Sequence, residues 1–494
     1  MDAFGASRQR FDALCTVLND AAAGGLEHSE LEARLDSDGR ELLRQLMQDH
    51  LNLRAVQEQR LAEVRDADDL AHTAVEAGHQ RHLATVFGGV QVSRLAYRSR
   101  GRPNLYPGDA VLNLPAERHS HGLRRLAAVE AARGSYDDTV DAIERASGQQ
   151  LGKRQVEELA QRAAVDFDAF YATRQPVAGA SSDVLVLSCD GKGVVMRPDA
   201  LRAPTAAKAA AATPKLASRL SRGEKRNRKR MAELGAVYDA TPAARSPNDI
   251  LPTGGEQHTE RAPAPTIDNK WLTASIVTDA AGVVAQIFDE ADRRDPVHAR
   301  TWIALVDGNN HQINRITAEA RQRQVTVTIL IDFVHVIEYL WKAAWCFHDE
   351  GDAAVEAWVA NKARAILAGK ATRVAAAIRR QATIAGLSTN RRVGAEVCAV
   401  YLTNKAPHLD YPTALAEGWP IATGVIEGAC RHIVADRLDI SGARWGLAGA
   451  EAILKLRALR TNGDFNEYFS FHLAQERRRV HETRYADAAL PTAA

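Results

Sequence analysis

The chain has 494 residues, with 63 Lys and Arg against 62 Asp and Glu, a formal net charge of +1, 46% hydrophobic and 25% charged residues. That length exceeds one ordinary core and predicts about three domains, while the composition excludes a disordered or fibrous chain. Apolar runs such as Val184–Leu187 and Val325–Ile331 are strand-sized, far short of the ~20 residues that span a bilayer, and MDAFGASRQRFDALC at the start holds no apolar signal core. A cytoplasmic location with no membrane partner is expected.

Residues 8–78 are rich in Ala, Leu, Glu, Arg and Gln near helical spacing and predict a helical N-terminal region over 1–80. Leu43, Leu46, His50, Leu53 and Val56 share a stripe read as helix packing or a dimer seam. From Ala84, Val86, Val90, Val92 and Leu95 with interspersed glycines predict a short β-ribbon. NLYPGDAVLNLP follows as an irregular connector, and helical pattern returns at Ser120–Arg133. In 135–167 a helix capped by Ser135 or Asp137 breaks at Gly148, and a second begins near Lys153. Such a pair is either a helix-turn-helix or a packed helical hairpin. Lys153 and Arg154 at the head of the second helix, where base edges are reached, favour DNA and make 81–175 a DNA-binding region.

DVLVLSCDGKGVVM (183–196) predicts a strand, an Asp-Gly turn and a second strand. Residues 197–262, rich in Ala, Pro, Arg and Lys, interrupt this texture and carry GEKRNRKR (223–230). KWLTASIVTDAAGVVAQIF (270–288) predicts a hairpin closed around Asp279–Gly282. A strand in IALVDGNNHQ (303–312), a helix in INRITAEARQRQ and a strand in VTVTILID complete a core over 183–338. A helical block with a break at Gly386 fills 339–420, two helices joined by a Gly- and Trp-containing loop fill 421–470, and 471–494 is a tail. Cys15, Cys189, Cys346, Cys398 and Cys430 form no CxxC and predict reduced thiols, not a zinc site or a disulfide framework. Cys346 and His348, two apart on a helix, share no face and are assigned to the core.

The predicted strands end in Asp190, Asp307 and Asp332, and a later helix carries Glu427. Singly, each has an ordinary reading: Asp-Gly is first a turn signal, Asp332 caps the helix that follows, and Glu427 complements a helix dipole. Together, carboxylates at neighbouring strand ends are what phosphoryl transfer needs, because a hard Mg²⁺ prefers oxygen ligands and two such ions stabilise both oxygens of an in-line displacement.

SCDGKGV (188–194), GEKRNRKRMAELGAVYD (223–239), ALVDGNN (304–310), IDFVHVIEYLWKAA (331–344), GVIEGACRHIVADRL (424–438) and SGARWGLAGAEAILKLRAL (441–459) together resemble a bacterial insertion-sequence transposase of the DDE type. The resemblance is to the branch related to Mutator-like elements, with a helical insertion before the catalytic glutamate. It implies an α/β fold: a ribonuclease H-like mixed sheet core with a helical insertion domain and a helical N-terminal DNA-binding region. It implies Asp190, Asp307 and Glu427 as catalytic residues and ligands of Mg²⁺, or Mn²⁺. Asp332-Phe333-Val334-His335 fits the family's Cys-or-Asp, two residues, His pattern, which makes Asp332 and His335 supporting residues around the metal site. In a ribonuclease H-like core the second carboxylate follows the fourth strand, which here is Ala304–Asp307.

The expected activity is metal-dependent cleavage at element ends and strand transfer into target DNA, with double-stranded DNA as partner and a homodimer or higher oligomer as the working form. The rival is a domesticated, transposase-derived DNA-binding protein without cleavage activity. Expected DNA contacts are Lys153, Arg154, Lys225, Arg226, Arg228, Lys229, Arg230, Arg444 and Trp445. KRNRKR places five positive charges in six residues, a run suited to a phosphate backbone. Trp445 either stacks on DNA or fills the core. The resemblance to that family would imply a cysteine-rich knuckle near the ribbon, but residues 84–106 contain no cysteine, so zinc-dependent end recognition is not expected.

Overall fold

A computed structural model describes residues 2–177, 179–213, 216, 218–219, 221, 228–252 and 261–491. The chain forms two compact units, one from Met1–Thr173 with Gly463–Ala494 and one from Arg174–Asn462.

In the first unit, helices Gly5–Asn19 and His28–Gln57 precede short strands β1 (Val64–Arg65) and β2 (Ala71–His72). The ribbon pairs β3 (Ala74–Thr85) with β4 (Gly88–Arg98) antiparallel, Thr85 facing Gly88 across a tight turn. It starts ten residues before the sequence indicated, inside the region expected to be helical, because AVEAGHQRHLAT is polar on both faces and lacks an apolar alternation. The stripe expected on the second helix is mostly exposed, so packing within this unit does not account for it. Leu43, Leu46, His50 and Val56 are exposed, whereas Leu51 is buried with Leu83, Val90, Val92 and Leu114, and Met47 packs against them.

Helices His121–Arg133, Tyr136–Ser147 and Lys153–Ala163 follow. Ser135, not Asp137, caps the second: its hydroxyl accepts from the Asp138 N–H at 3.1 Å, and the Asp138 carboxylate accepts from the Ser135 N–H at 3.0 Å. Gly148, at φ 66°, ends that helix. Helix Phe465–Val480 returns to this unit, so the predicted 421–470 segment divides. Arg124, fully buried on helix His121–Arg133, donates to Glu476 at 2.6 Å, a pairing that offsets the cost of burying either charge.

The second unit is mixed α/β around one five-stranded sheet: β5 (Val184–Val195), β6 (Lys229–Thr241), β7 (Thr266–Ser275), β8 (Trp302–Val306) and β9 (Val327–Ile331), in the order β7-β6-β5-β8-β9. β6 is antiparallel to both neighbours, while β5–β8 and β8–β9 are parallel. β8 is the fourth strand of this sheet. Three local expectations fail here. Asp190-Gly191 makes no turn; β5 runs straight through it, with Asp190 opposite Leu234 and Gly191 opposite Glu233. The expected interruption 197–262 contains a central strand, β6, of which Ala232, Leu234, Ala236, Val237 and Tyr238 are wholly buried. The hairpin expected at Asp279–Gly282 is instead the start of helix Ala280–Arg294, whose cap Asp279 accepts from the Gly282 N–H at 2.9 Å.

Helices Phe333–Ala344, Ala354–Leu367, Ala371–Ile384 and Val393–Asn404 make up the helical block, and Gly386 at φ 60° follows the third. Helix Gly424–Ala429 runs into a π-helical turn, Cys430–Ala435, before helix Leu447–Thr461.

Candidate functional site

The parallel half of the sheet aligns its carboxylates. Leu187 pairs with Ala304 and Ala304 with Ile329; three residues further along each strand lie Asp190, Asp307 and Asp332. All three therefore stand at one level across adjacent strands, two just past the C-terminal ends of β8 and β9 and one still within β5, which continues on its antiparallel side. Crevices outside the carboxyl ends of parallel strands are where open α/β sheets bind ligands.

Glu427 reaches this edge through its helix. The Cys430 thiol donates to Asp190 Oδ2 at 3.2 Å, fastening the π-helical turn to β5. Burial pushes the Cys430 thiol well above its usual range, and the charges of Asp190 and Glu427 push it the same way. π-turns inside α-helices are rare and frequently sit at functional sites. The Cys189 thiol, beneath the same edge, is pushed up to about 12 by burial and by Asp307 and Asp190. Both cysteines are neutral, well-shielded thiols.

Asp332 is wholly buried. Its Oδ1 accepts from the Val334 N–H at 2.6 Å, so it does cap helix Phe333–Ala344, and its Oδ2 accepts from the backbone N–H of Thr423 at 2.9 Å and from the Thr423 hydroxyl. Thr423 Oγ1 lies 3.4 Å from Glu427 Oε1. Donor atoms of Asp332, His335 and Glu427 all lie within 4.8 Å of one another, close enough to share a metal ion. His335 also stands 3.6 Å from Glu338.

At Asp307 the chain leaves β8 through Gly308, at φ 91°, a conformation glycine adopts without strain. The Asp307 carboxylate accepts from the Asn309 N–H at 2.7 Å, and its backbone carbonyl accepts from the Tyr401 hydroxyl at 3.2 Å. Tyr401 stacks on Tyr339 with ring centroids 3.8 Å apart, so the helical block buttresses the strand end. Lys405, one turn on, donates to Asn310, and burial lowers its pKa against the pull of Asp307.

Among the described residues, the hydrogen-bond donors to Asp190 and Asp307 are backbone amides and a thiol, Glu427 Oε1 lies near a Thr423 hydroxyl whose proton goes to Asp332, and no Lys or Arg is ion-paired to Asp190, Asp307 or Glu427. Oxygen donors that are partly buried at Asp190 and Asp307, exposed at Glu427 and without a neutralising cation fit a hard divalent ion. Among the described residues the sulfur and nitrogen ligands of a zinc knuckle do not meet anywhere. No protein-family model and no curated protein matches the sequence.

The residues expected to touch DNA fall into separate groups. Lys153 and Arg154 are exposed in the first turn of their helix, paired with Asp137 at 2.5 Å and Glu158 at 3.0 Å. Lys225 and Arg226 lie outside the described residues. Arg228 precedes β6, and Lys229 pairs with Asp439 at 3.2 Å. Arg230 is a correction. Its guanidinium donates to the carbonyls of Ile276 at 2.7 Å and Ala200 at 3.3 Å and is half-buried, so it ties β6 to its surroundings. Of the two readings of Trp445, the structure favours the core: it is buried, its indole N–H donates to the Leu438 carbonyl at 3.0 Å, and the Arg437 guanidinium covers its ring at 4.7 Å. Its backbone N–H donates to Val195 at 3.1 Å, extending β5. Arg444 beside it is exposed.

Thr423, Cys430, Tyr401 and Lys405 were not among the residues expected from the sequence. Thr423 and Cys430 sit four before and three after Glu427, the spacing that keeps helical residues on one side, and that spacing was the available signal.

Proposed function

We propose that this chain is a DDE-type transposase, with a ribonuclease H-like core that cuts DNA at element ends and joins the freed ends to target DNA. The observation that carries the reading is the level row of Asp190 and Asp307 on adjacent parallel strands, with Glu427 drawn to the same edge by the Cys430–Asp190 hydrogen bond. The sheet order, third-second-first-fourth-fifth with only the second strand antiparallel, supports the core assignment.

Asp190, Asp307 and Glu427 would hold Mg²⁺ or Mn²⁺, which supplies alignment of the nucleophile and neutralisation of charge on the transferring phosphate. Asp332 and Thr423 fix the height of Glu427, and Tyr401 with Gly308 fixes the turn that aims Asp307. Lys405, buried, donates to Asn310 and braces the same turn. Lys153 and Arg154, exposed at a helix start, suit duplex DNA. Intact carboxylates favour an enzyme over a binding protein that no longer cuts.

The test uses duplexes taken from DNA flanking the coding region, with Mg²⁺ present. Wild-type protein should nick them, and Asp190→Asn, Asp307→Asn and Glu427→Gln should each bind but not cut. Undiminished cutting by any of the three would defeat the assignment of that carboxylate, and wild-type protein inert on every such duplex would defeat the reading.

A further inference from the structure

β4 ends at Arg98 and runs on into Ser99-Arg100-Gly101-Arg102-Pro103, a stretch to which the catalytic reading gives no role. Ser99–Arg102 form a tight turn in which the Arg102 N–H donates to the Ser99 carbonyl at 3.2 Å and Gly101 takes φ 76°. Tyr97 and Leu105 close the loop with reciprocal backbone hydrogen bonds of 2.9 and 3.0 Å. Both are buried among Val64, Ala110 and Tyr485, so the turn stands on a fixed base. Arg98, Arg100, Gly101, Arg102 and Pro103 are all exposed.

We propose that this turn reads the minor groove of A·T-rich duplex DNA. Three guanidinium groups alternate with Ser99 and Gly101, so cationic arms project from a backbone that carries almost no bulk between them. The minor groove is about 6 Å wide, and A·T tracts narrow it further and deepen its negative potential, which draws arginine in. Arginine-bearing arms on other folds enter the groove for that reason. A G·C pair places the guanine N2 amino group on the groove floor and obstructs the same approach.

The left-handed φ of 76° favours glycine at position 101, but packing among the described residues does not require a small side chain there. A Cβ there would meet no heavy atom within 4 Å; the fold requires only the left-handed conformation, which asparagine also adopts. Arg98 pairs with Glu76 at 3.0 Å and Arg102 with Asp68 at 2.6 Å, but these are exposed pairs, weak enough to exchange for phosphates. Arg100, at the tip, makes no ion pair among the described residues.

The proposal shares with the transposase reading the need for duplex DNA, but not the need for cleavage. The full chain is titrated, in EDTA, into labelled duplexes of A·T, G·C and inosine·C composition, followed by fluorescence anisotropy. Inosine removes only the minor-groove amino group and leaves the G·C major-groove pattern. A·T and inosine·C duplexes should bind alike, about tenfold tighter than G·C. Arg100→Ala with Arg102→Ala should abolish that preference, and so should Gly101→Asn at an unchanged melting temperature. Equal binding of G·C and inosine·C, or a preference that survives both variants, overturns the proposal. If Gly101→Asn melts early, the arginine pair alone decides. A chain that cuts its flanking duplexes without preferring A·T loses this proposal only; one that prefers A·T but never cuts loses only the transposase reading.

Discussion

Thr423 donates both its backbone N–H, at 2.9 Å, and its hydroxyl to Oδ2 of Asp332, while its Oγ1 lies 3.4 Å from Oε1 of Glu427. One buried carboxylate thus joins the end of β9, the helix it caps and the segment that presents Glu427. A wholly buried carboxylate is tolerated only when its oxygens are hydrogen-bonded, and here both are. That engagement suits Asp332 to holding Glu427 in place.

Asp332→Asn and Thr423→Val should therefore slow cleavage by about 10–100-fold, the usual loss when an outer partner of a metal site is removed. Asp332→Ala should in addition lower stability by at least ~1 kcal/mol, since a cap and buried amide partners are lost together. Cleavage rate and melting temperature on the same proteins separate the possibilities. Normal cutting by Asp332→Asn would make Asp332 a cap only; cutting as dead as in Asp190→Asn would make it a metal ligand.

Gly308→Ala should cut poorly and melt early. A Cβ at 308 would stand 2.7 Å from the Tyr401 hydroxyl and 3.3 Å from Ile331 Cδ1, at a φ of 91°, and strain of that kind costs ~1 kcal/mol or more. Adding Tyr401→Phe removes the clashing oxygen and should recover part of the stability but not the rate, because the Tyr401 bond to the Asp307 carbonyl is also gone. Full activity in Gly308→Ala would show that the turn need not be held.

Much of the site was legible because its residues follow apolar runs. Ala304–Val306 and Val327–Ile331 read as strands, and the carboxylates came next in line. What failed was punctuation. Asp190-Gly191 and Asp279–Gly282 carry turn-forming residues, yet one lies within a strand paired on its antiparallel side and the other opens a helix, and only tertiary pairing decides between these. β6 was hidden because its charged start, Lys229-Arg230, continues a basic run, so the apolar stretch Leu234–Tyr238 was read with its surroundings. The Thr423–Asp332 bond joins residues 91 apart and has no local signature.

The basic run should divide when tested. Arg230→Gln should lower the melting temperature and leave the salt dependence of DNA binding unchanged, because its guanidinium serves the Ile276 and Ala200 carbonyls. Neutralising Lys225, Arg226 and Arg228 should reduce the log–log salt slope by about 0.9 for each phosphate left without its cation. A slope change of that size in Arg230→Gln would return it to the DNA surface; no change in the triple variant would leave the run without a role in binding.

The unit containing the ribbon should weaken in mild acid, and His121 should be a main cause. His121 Nε2 donates to the Asn113 carbonyl at 2.9 Å, while Nδ1 is buried without a partner among the described residues. Burial, with the Arg124 cation nearby, pushes its pKa down to about 4 from the ordinary 6.5. The folded state thus resists the proton that the unfolded chain accepts. Stability from this group is complete above pH 6.5, falls as pH drops towards 4, and levels off below. The loss is at most on the order of 3 kcal/mol. His119 and His481, also lowered by burial, act in the same direction. Glu58 and Asp109, raised by burial, oppose it, so a difference between variants is more telling than the bare curve. His121→Gln keeps a donor for Asn113 and cannot titrate. Its melting temperature should fall less than that of wild type across this window, and parallel profiles would show that His121 does not set the acid sensitivity.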